Sequence, residues 1–386
     1  MKKRIFLLMA LLLAAVMVFP GLPVRGETES DTESTELTLN APSAVLMEAS
    51  TGRVLFEKNS HEVRSCASIT KVMTLCLTFD AIEAGQLSLQ DTLTASAHAA
   101  SMGGSDIWLK EGEMMTVDDL IKATVIMSAN DAAVVLAENV AGSEEAFVRQ
   151  MNERAQELGM TDTVFKNCNG LDEEGHVTSA HDVALMSREL ITHPKIFDYT
   201  LTWIDYVRDG ETQLVNTNKL IRSYSGITGL KTGTTSQAGS CITATAERDS
   251  LALISVVLGA DSTEHRFQDA AALLDYGFAG WSVVVPETPV LEEAAVTGGM
   301  EETVPAQIGE MPKILTKAAE RGQVEQKIEM NGELTAPVRK GDVIGRVTYT
   351  VGGEAVSQVD ITAAADVEEV TFSSVFAYLL HSFFTM

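Results

Sequence analysis

Ser68 and Lys71 lie three residues apart in "RSCASITKVMTLC" (64–76), a stretch that is otherwise mostly apolar. On a helix, positions i and i+3 share a face. The hydroxyl and the amine then meet about one turn apart, with Ser68 near the positive dipole end if it begins the helix. A lysine at its ordinary pKa of ~10.4 cannot accept a proton at neutral pH. Apolar surroundings and a second cation favour its neutral form, which can take the serine proton and create an alkoxide nucleophile. Taken alone, the pair reads more simply as an N-cap serine followed by a lysine that reaches solvent.

Two further pieces bear on that ambiguity. In "MSANDA" (127–132), Ser128 and Asn130 fall between two expected helices. A hydroxyl there can relay a proton, and an amide can bind a peptide carbonyl and hold the lysine; helix capping is the plainer alternative. In "GLKTGTTSQAGS" (229–240), Lys231, Thr232 and Gly233 stand at one end of an expected strand. Alternation puts Lys231 and Gly233 on one face and Thr232 on the other. Lys231 and Thr232 suit an anion, and Gly233 is expected to leave room for a substrate backbone to lie alongside as an added strand. An ordinary edge strand is the alternative. Ser-x-x-Lys, Ser-x-Asn and Lys-Thr-Gly in this order argue for one site rather than three coincidences.

The elements that must position these residues are legible in outline. "SAVLMEASTGRVLFEKN" (43–59) reads as two strands around a turn at Ser50-Thr51-Gly52. Ile69, Val72, Met73, Leu75, Cys76 and Phe79 nearly encircle a helix, which marks it as central and buried. Thr116 with Asp119 forms a capping box, Asp131 is expected to cap "AAVVLAENVA", and Ser143 and Ser179 open later helices. Strands return over 227–260, turning near Arg248-Asp249, and "RFQDAAALLDYGF" reads as a last helix. This order predicts an α+β fold: a sheet covered by helices, with a helical subdomain inserted between its strands, over residues 39–285. Short alternating strands then predict a small all-β domain at 286–368. The final segment, 369–386, contains an amphipathic helix with Phe372, Phe376, Leu379 and Phe383 on one face. Sixteen helical residues span ~24 Å, short of a ~30 Å hydrocarbon core. An interfacial membrane helix is expected; packing on the β domain is the alternative.

A net charge of −26 excludes nucleic acid as a natural partner. "MKKR" followed by "IFLLMALLLAAVMVF" and Pro20, Gly21 and Pro23 reads as a secretory signal over 1–26, so the chain is expected to be exported. An uncleaved anchor is the alternative. Cleavage would remove Lys2, Lys3, Arg4 and Arg25 and no acid, leaving −30. Residues 27–38 read as a flexible acidic spacer. Cys66 and Cys76 would be ~15 Å apart on a helix and cannot bridge. Free buried thiols are expected, while pairing of Cys168 with Cys241 or Cys66 stays open. The seven histidines show no ligand spacing, and no metal or organic cofactor is implied.

From about Leu39 to its end the chain resembles the serine-type D-alanyl-D-alanine carboxypeptidases, the low-molecular-mass penicillin-binding proteins. "ASITKVMT", "LIKATVIMSANDAAVVLAE", "FKNCNGLDEEGHVTSAHDVALMS", "NTNKL", "GITGLKTGTTSQAGSCITATAERDSLALISVVLGA" and "HRFQDAAALLDYGF" carry the likeness. The resemblance implies a β-lactamase-like transpeptidase domain, a β-rich domain and a membrane-associating helix at the outer face of the cytoplasmic membrane. It also implies removal of the last D-alanine from peptidoglycan stem pentapeptides and covalent capture of β-lactams. By the same resemblance Ser68 is the acylated serine and Lys71 its base. Ser128, with Asn130, passes a proton to the leaving group, and Lys231 supports the electrostatics. Thr232 and Gly233 complete the third motif, the amides of Ser68 and Thr234 form an oxyanion hole, and Arg266 helps bind the terminal carboxylate. Cys66 stands where the family often has proline, and Ser240 where an aromatic is frequent, which leaves local packing and oxidation sensitivity open. A β-lactamase is one alternative, but the helical middle has no Glu-x-x-Leu-Asn run, and Glu173 and Glu174 sit in a loop that matches the carboxypeptidases. A catalytically idle penicillin-binding sensor is the other.

Overall fold

In a computed structural model, residues 37–385 are described; the expected signal at 1–26 and all but the last two residues of the spacer lie outside them. Strand β1 (Ser43–Glu48) is buried at every position and turns back into β2 (Val54–Lys58). The turn closes because the Glu48 carboxylate accepts from the backbone amides and hydroxyls of both Ser50 and Thr51. Gly52 supplies the positive φ the turn needs.

The chain next makes a 3₁₀ turn, Ala67–Thr70, and enters α1 (Lys71–Glu83). Apolar residues around the whole circumference of α1 bury it centrally, against the helices of the middle region. Those helices are α2 (Val117–Ile126), α3 (Asn130–Ala141), α4 (Glu144–Glu157) and α5 (Ala180–Leu190). Thr116, Ser143 and Ser179 cap α2, α4 and α5 through their hydroxyls, as their positions predict. Asp131 does not cap α3. The helix starts two residues earlier than that cap requires, at Asn130, and the Asp131 carboxylate accepts from the amides of Ile107 and Leu109. Those buried donors have no strand to pair with, so they take the acceptor that the cap would have used.

Strands β3 (Ile227–Thr235), β4 (Gly239–Arg248) and β5 (Leu251–Ala260) complete an antiparallel sheet of order β2-β1-β5-β4-β3. Helix α6 (Thr263–Gly280) follows. Ser255 bonds the Ala270 carbonyl on α6, whereas Thr243, paired with Val256 on the opposite face, bonds Ser187 on α5. Helices therefore cover both faces, and the expected α+β architecture is present. Further on, strands Ala306–Ile308, Glu354–Ala363, Val343–Val351 and Val324–Met330 form a four-stranded sheet, and Ala294–Thr297, Thr303–Val304 and Leu334–Thr335 form a smaller one. They enclose a core of their own around Val304, Ile344, Val347, Tyr349 and Ile361. The last helix, Phe372–Thr385, exposes Phe372, Phe376, Leu379 and Phe383.

Candidate active site

Ser68 sits within the 3₁₀ turn rather than at the first residue of α1. The turn is clamped from two sides. Thr70 donates its hydroxyl to the Ala67 carbonyl at 2.9 Å, and His176 Nε2 lies 2.7 Å from that hydroxyl. His176 Nδ1 accepts from the Lys166 amide, so Nε2 carries the ring proton. Burial pushes the ring's pKa down to about 4, which keeps it neutral in this role. On the other side, Gly170 has φ +84°, and a Cβ there would lie 1.9 Å from the Ala67 carbonyl oxygen. Only glycine admits this approach.

Lys71 is fully buried. Its Nζ lies 3.0 Å from Ser68 Oγ, 2.5 Å from Asn130 Oδ1 and 2.6 Å from the Asn169 carbonyl oxygen. A neutral amine has two N–H donors and one lone pair. The two carbonyl-type oxygens take both donors and leave the lone pair for the Ser68 hydroxyl. Burial drives the Lys71 pKa down to about 7, against the opposing pull of groups that include Asp131. Asn130 is itself anchored, since its Nδ2 donates to the Gly103 carbonyl at 2.6 Å and its amide donates to Ser105 O.

Ser128 lies in the three-residue link between α2 and α3, at φ +68°, a region costly for a side chain with a Cβ. Its buried Oγ has no hydrogen-bond partner among the described residues. Lys231 and Thr232 are also buried. Lys231 Nζ donates to the Thr232 carbonyl, and Thr232 bonds the Thr217 hydroxyl. Burial lowers the Lys231 pKa well below its usual value, and repulsion from Lys71 and Arg266 adds to the shift. Two buried amines are thus pushed the same way.

Gly233 has a different structural reason from the one its sequence position suggests. A Cβ at this residue would lie 2.9 Å from the Cys66 carbonyl oxygen and 2.9 Å from the Ser68 amide nitrogen. The missing side chain lets β3 pack directly on the nucleophile turn. Room for an added strand comes instead from the position of β3 at the sheet edge. Arg266 is buried in α6 and donates to Gly233 O at 3.1 Å and Thr234 Oγ1 at 2.8 Å, so it holds the exposed Thr234 from behind. Cys66, Cys76, Cys168 and Cys241 are all unpaired and buried. The Cys66 thiol is pushed up to about 12 by burial, which removes its thiolate chemistry.

Sequence reasoning did not single out Asn169, Gly170 or His176. The turn-forming Asn169-Gly170 pair was the available signal; a backbone carbonyl's partner is invisible in one sequence.

This geometry meets the comparison with known proteins. The model for the D-alanyl-D-alanine carboxypeptidase family matches residues 29–262. The chain belongs to that family. The carboxypeptidase also matches the model for the penicillin-binding protein 5 C-terminal domain over residues 283–369. It is 38% identical to D-alanyl-D-alanine carboxypeptidase DacF of Bacillus subtilis over 371 residues, 95% of either chain. Among solved structures, penicillin binding protein 5 from Haemophilus influenzae superposes with a TM-score of 0.72 at 28% identity, covering 86% of this chain and 98% of that one. Ampicillin-bound penicillin-binding protein D2 from Listeria monocytogenes gives 0.55 at 35%, covering 63% and 99%.

Proposed function

We propose that this serine-type D-alanyl-D-alanine carboxypeptidase removes the terminal D-alanine of peptidoglycan stem pentapeptides through an ester on Ser68. The observation that carries the reading is the buried Lys71 Nζ, 3.0 Å from Ser68 Oγ, with both its N–H donors directed at carbonyl-type oxygens. The neutral amine takes the hydroxyl proton as Oγ attacks the carbonyl of the penultimate D-alanine. The developing oxyanion is received by the backbone amides of Ser68 and Thr234, donors of a kind whose loss costs ~2.7–4 kcal/mol. Ser128, whose hydroxyl has no partner among the described residues, passes a proton to the departing D-alanine nitrogen. Lys231, Thr232 and Thr234 receive the terminal carboxylate, with Arg266 supplying positive potential behind Thr234 and Gly233 keeping β3 close to Ser68. Water then hydrolyses the ester.

A β-lactam follows the same acylation and is held covalently; the ampicillin-bound relative is consistent with this. Attachment to the outer face of the cytoplasmic membrane is supported by the exposed aromatic face of the last helix, which is too short to cross a bilayer.

Release of free D-alanine from a diacetylated D-alanyl-D-alanine tripeptide tests the activity. Turnover that is lost when the terminal carboxylate is amidated is the expected result. Equal rates on the amidated peptide would indicate an endopeptidase. Release of bound fluorescent penicillin within seconds would indicate a β-lactamase, and labelling with no D-alanine release an idle sensor.

A further inference from the structure

The C-terminal end of α1 holds a second polar cluster, ~14 Å along the helix from Lys71. Asp80 and Glu83 come from α1, Arg154 and Glu157 from α4, and Glu189 and His193 from the end of α5 and the segment after it. Four carboxylates surround one guanidinium and one imidazole. Arg154 pairs with Glu189, reaches Glu157 at 2.9 Å and stands 3.9 Å from Asp80.

His193 is the informative member. Its side chain is 5% exposed, and its ring stacks on Phe79 at 5.7 Å. Nδ1 lies 2.7 Å from Glu83 Oε1. A carboxylate only accepts, so Nδ1 carries a proton and donates; in the neutral ring Nε2 then holds a lone pair. That nitrogen has no hydrogen-bond partner among the described residues, yet it lies 3.4 Å from Asp80 Oδ1. With the ring neutral, two lone pairs face one another across a partly exposed gap, an arrangement that a cation between them relieves. Nε2 and one oxygen each from Asp80 and Glu189 all fall within 4.8 Å of one another.

We propose that Asp80, Glu189 and His193 form a zinc-binding site, oriented by Glu83. Zinc bonds of about 2.0–2.2 Å at tetrahedral angles put neighbouring ligand atoms about 3.4 Å apart, the spacing already present between Nε2 and Asp80. The Glu83–His193 contact is the carboxylate–histidine support such ligands use. Asp80 is 38% and Glu189 23% exposed, which leaves an entry path and a position for water. Arg154 is the competitor, since zinc must displace its guanidinium from Glu189; Glu157 remains to hold it. The histidine spacing alone hides this site, because the ligands arrive from separate elements. The metal would pin the exit of α5 to α1 and takes no part in acyl transfer.

The test uses the untagged full chain, stripped with chelator and dialysed against Zn²⁺, with bound metal measured by mass spectrometry. One zinc per chain is expected, with a rise in Tm of about 4 °C. His193→Gln should lose both. Arg154→Gln, which removes the competing cation, should bind zinc about tenfold more tightly. If His193→Gln does not fold, Glu189→Gln serves as the ligand-loss variant. The proposal is overturned if neither the parent chain nor Arg154→Gln takes up zinc. It is equally overturned if His193→Gln or Glu189→Gln retains the full equivalent, because the metal then sits elsewhere, for instance at the exposed His98–Glu144 pair.

Discussion

The two ends of α1 solve opposite electrostatic problems with polar groups of similar size. At the N-terminal end, Lys71 is enclosed by neutral oxygens from Asn130 and Asn169. They fix its position without stabilising its charge, and burial takes the pKa down to about 7. At the C-terminal end, Arg154 is ringed by carboxylates and its charge is held. The lesson is that a hydrogen-bond network says little about a base until the charge of its acceptors is known. Amide oxygens make a proton acceptor of a buried cation, and carboxylates make a structural ion of it.

Substitutions at the first end should have the largest effects. Ser68→Ala should abolish covalent penicillin labelling. Lys71→Arg keeps a cation that cannot give up its proton and should lower the acylation rate by about 10³-fold or more, read by stopped-flow labelling. Asn130→Asp makes the N-terminal end resemble the other. A carboxylate against Nζ favours the ammonium form, so the pH at which acylation reaches half its plateau should rise by about 1–3 units. An unmoved profile would break the comparison. Gly170→Ala tests the clamp on the nucleophile turn. Its Cβ meets the Ala67 carbonyl at 1.9 Å in a left-handed backbone, so a loss of about 2–4 kcal/mol in denaturant melts is expected, with slower acylation. The smallest effect belongs to the second end. Glu83→Gln removes the charge of a mostly exposed carboxylate but leaves an amide oxygen to accept from His193 Nδ1, so it should change stability by under about 1 kcal/mol and leave acylation untouched, while weakening zinc uptake about tenfold.

Much of this was legible in the residues themselves. Hydroxyl caps at Thr116, Ser143 and Ser179 and the buried circumference of α1 follow from local pattern, which is set by backbone donors and apolar periodicity. Asp131 was misread because its competing donors, the amides of Ile107 and Leu109, lie in a loop more than twenty residues away. Gly233 was read for the space on its outer side, whereas its constraint comes from a turn remote in sequence. Asn169 acts through a carbonyl that every residue has. His176 works through a threonine that looks like an ordinary helix residue. Each miss is a tertiary contact that carries no periodic signature.

The central claim is that Lys71 acts as an uncharged base on Ser68. Its most direct test is the pH dependence of the second-order rate constant for penicillin acylation of the intact enzyme. Below a pKa near 7 the amine is protonated and its lone pair is lost, so the rate should rise about tenfold per pH unit and level off above that value. A rate that stays flat from pH 5.5 to 9, or that climbs only as pH nears the ordinary lysine range of ~10.4, would contradict the account.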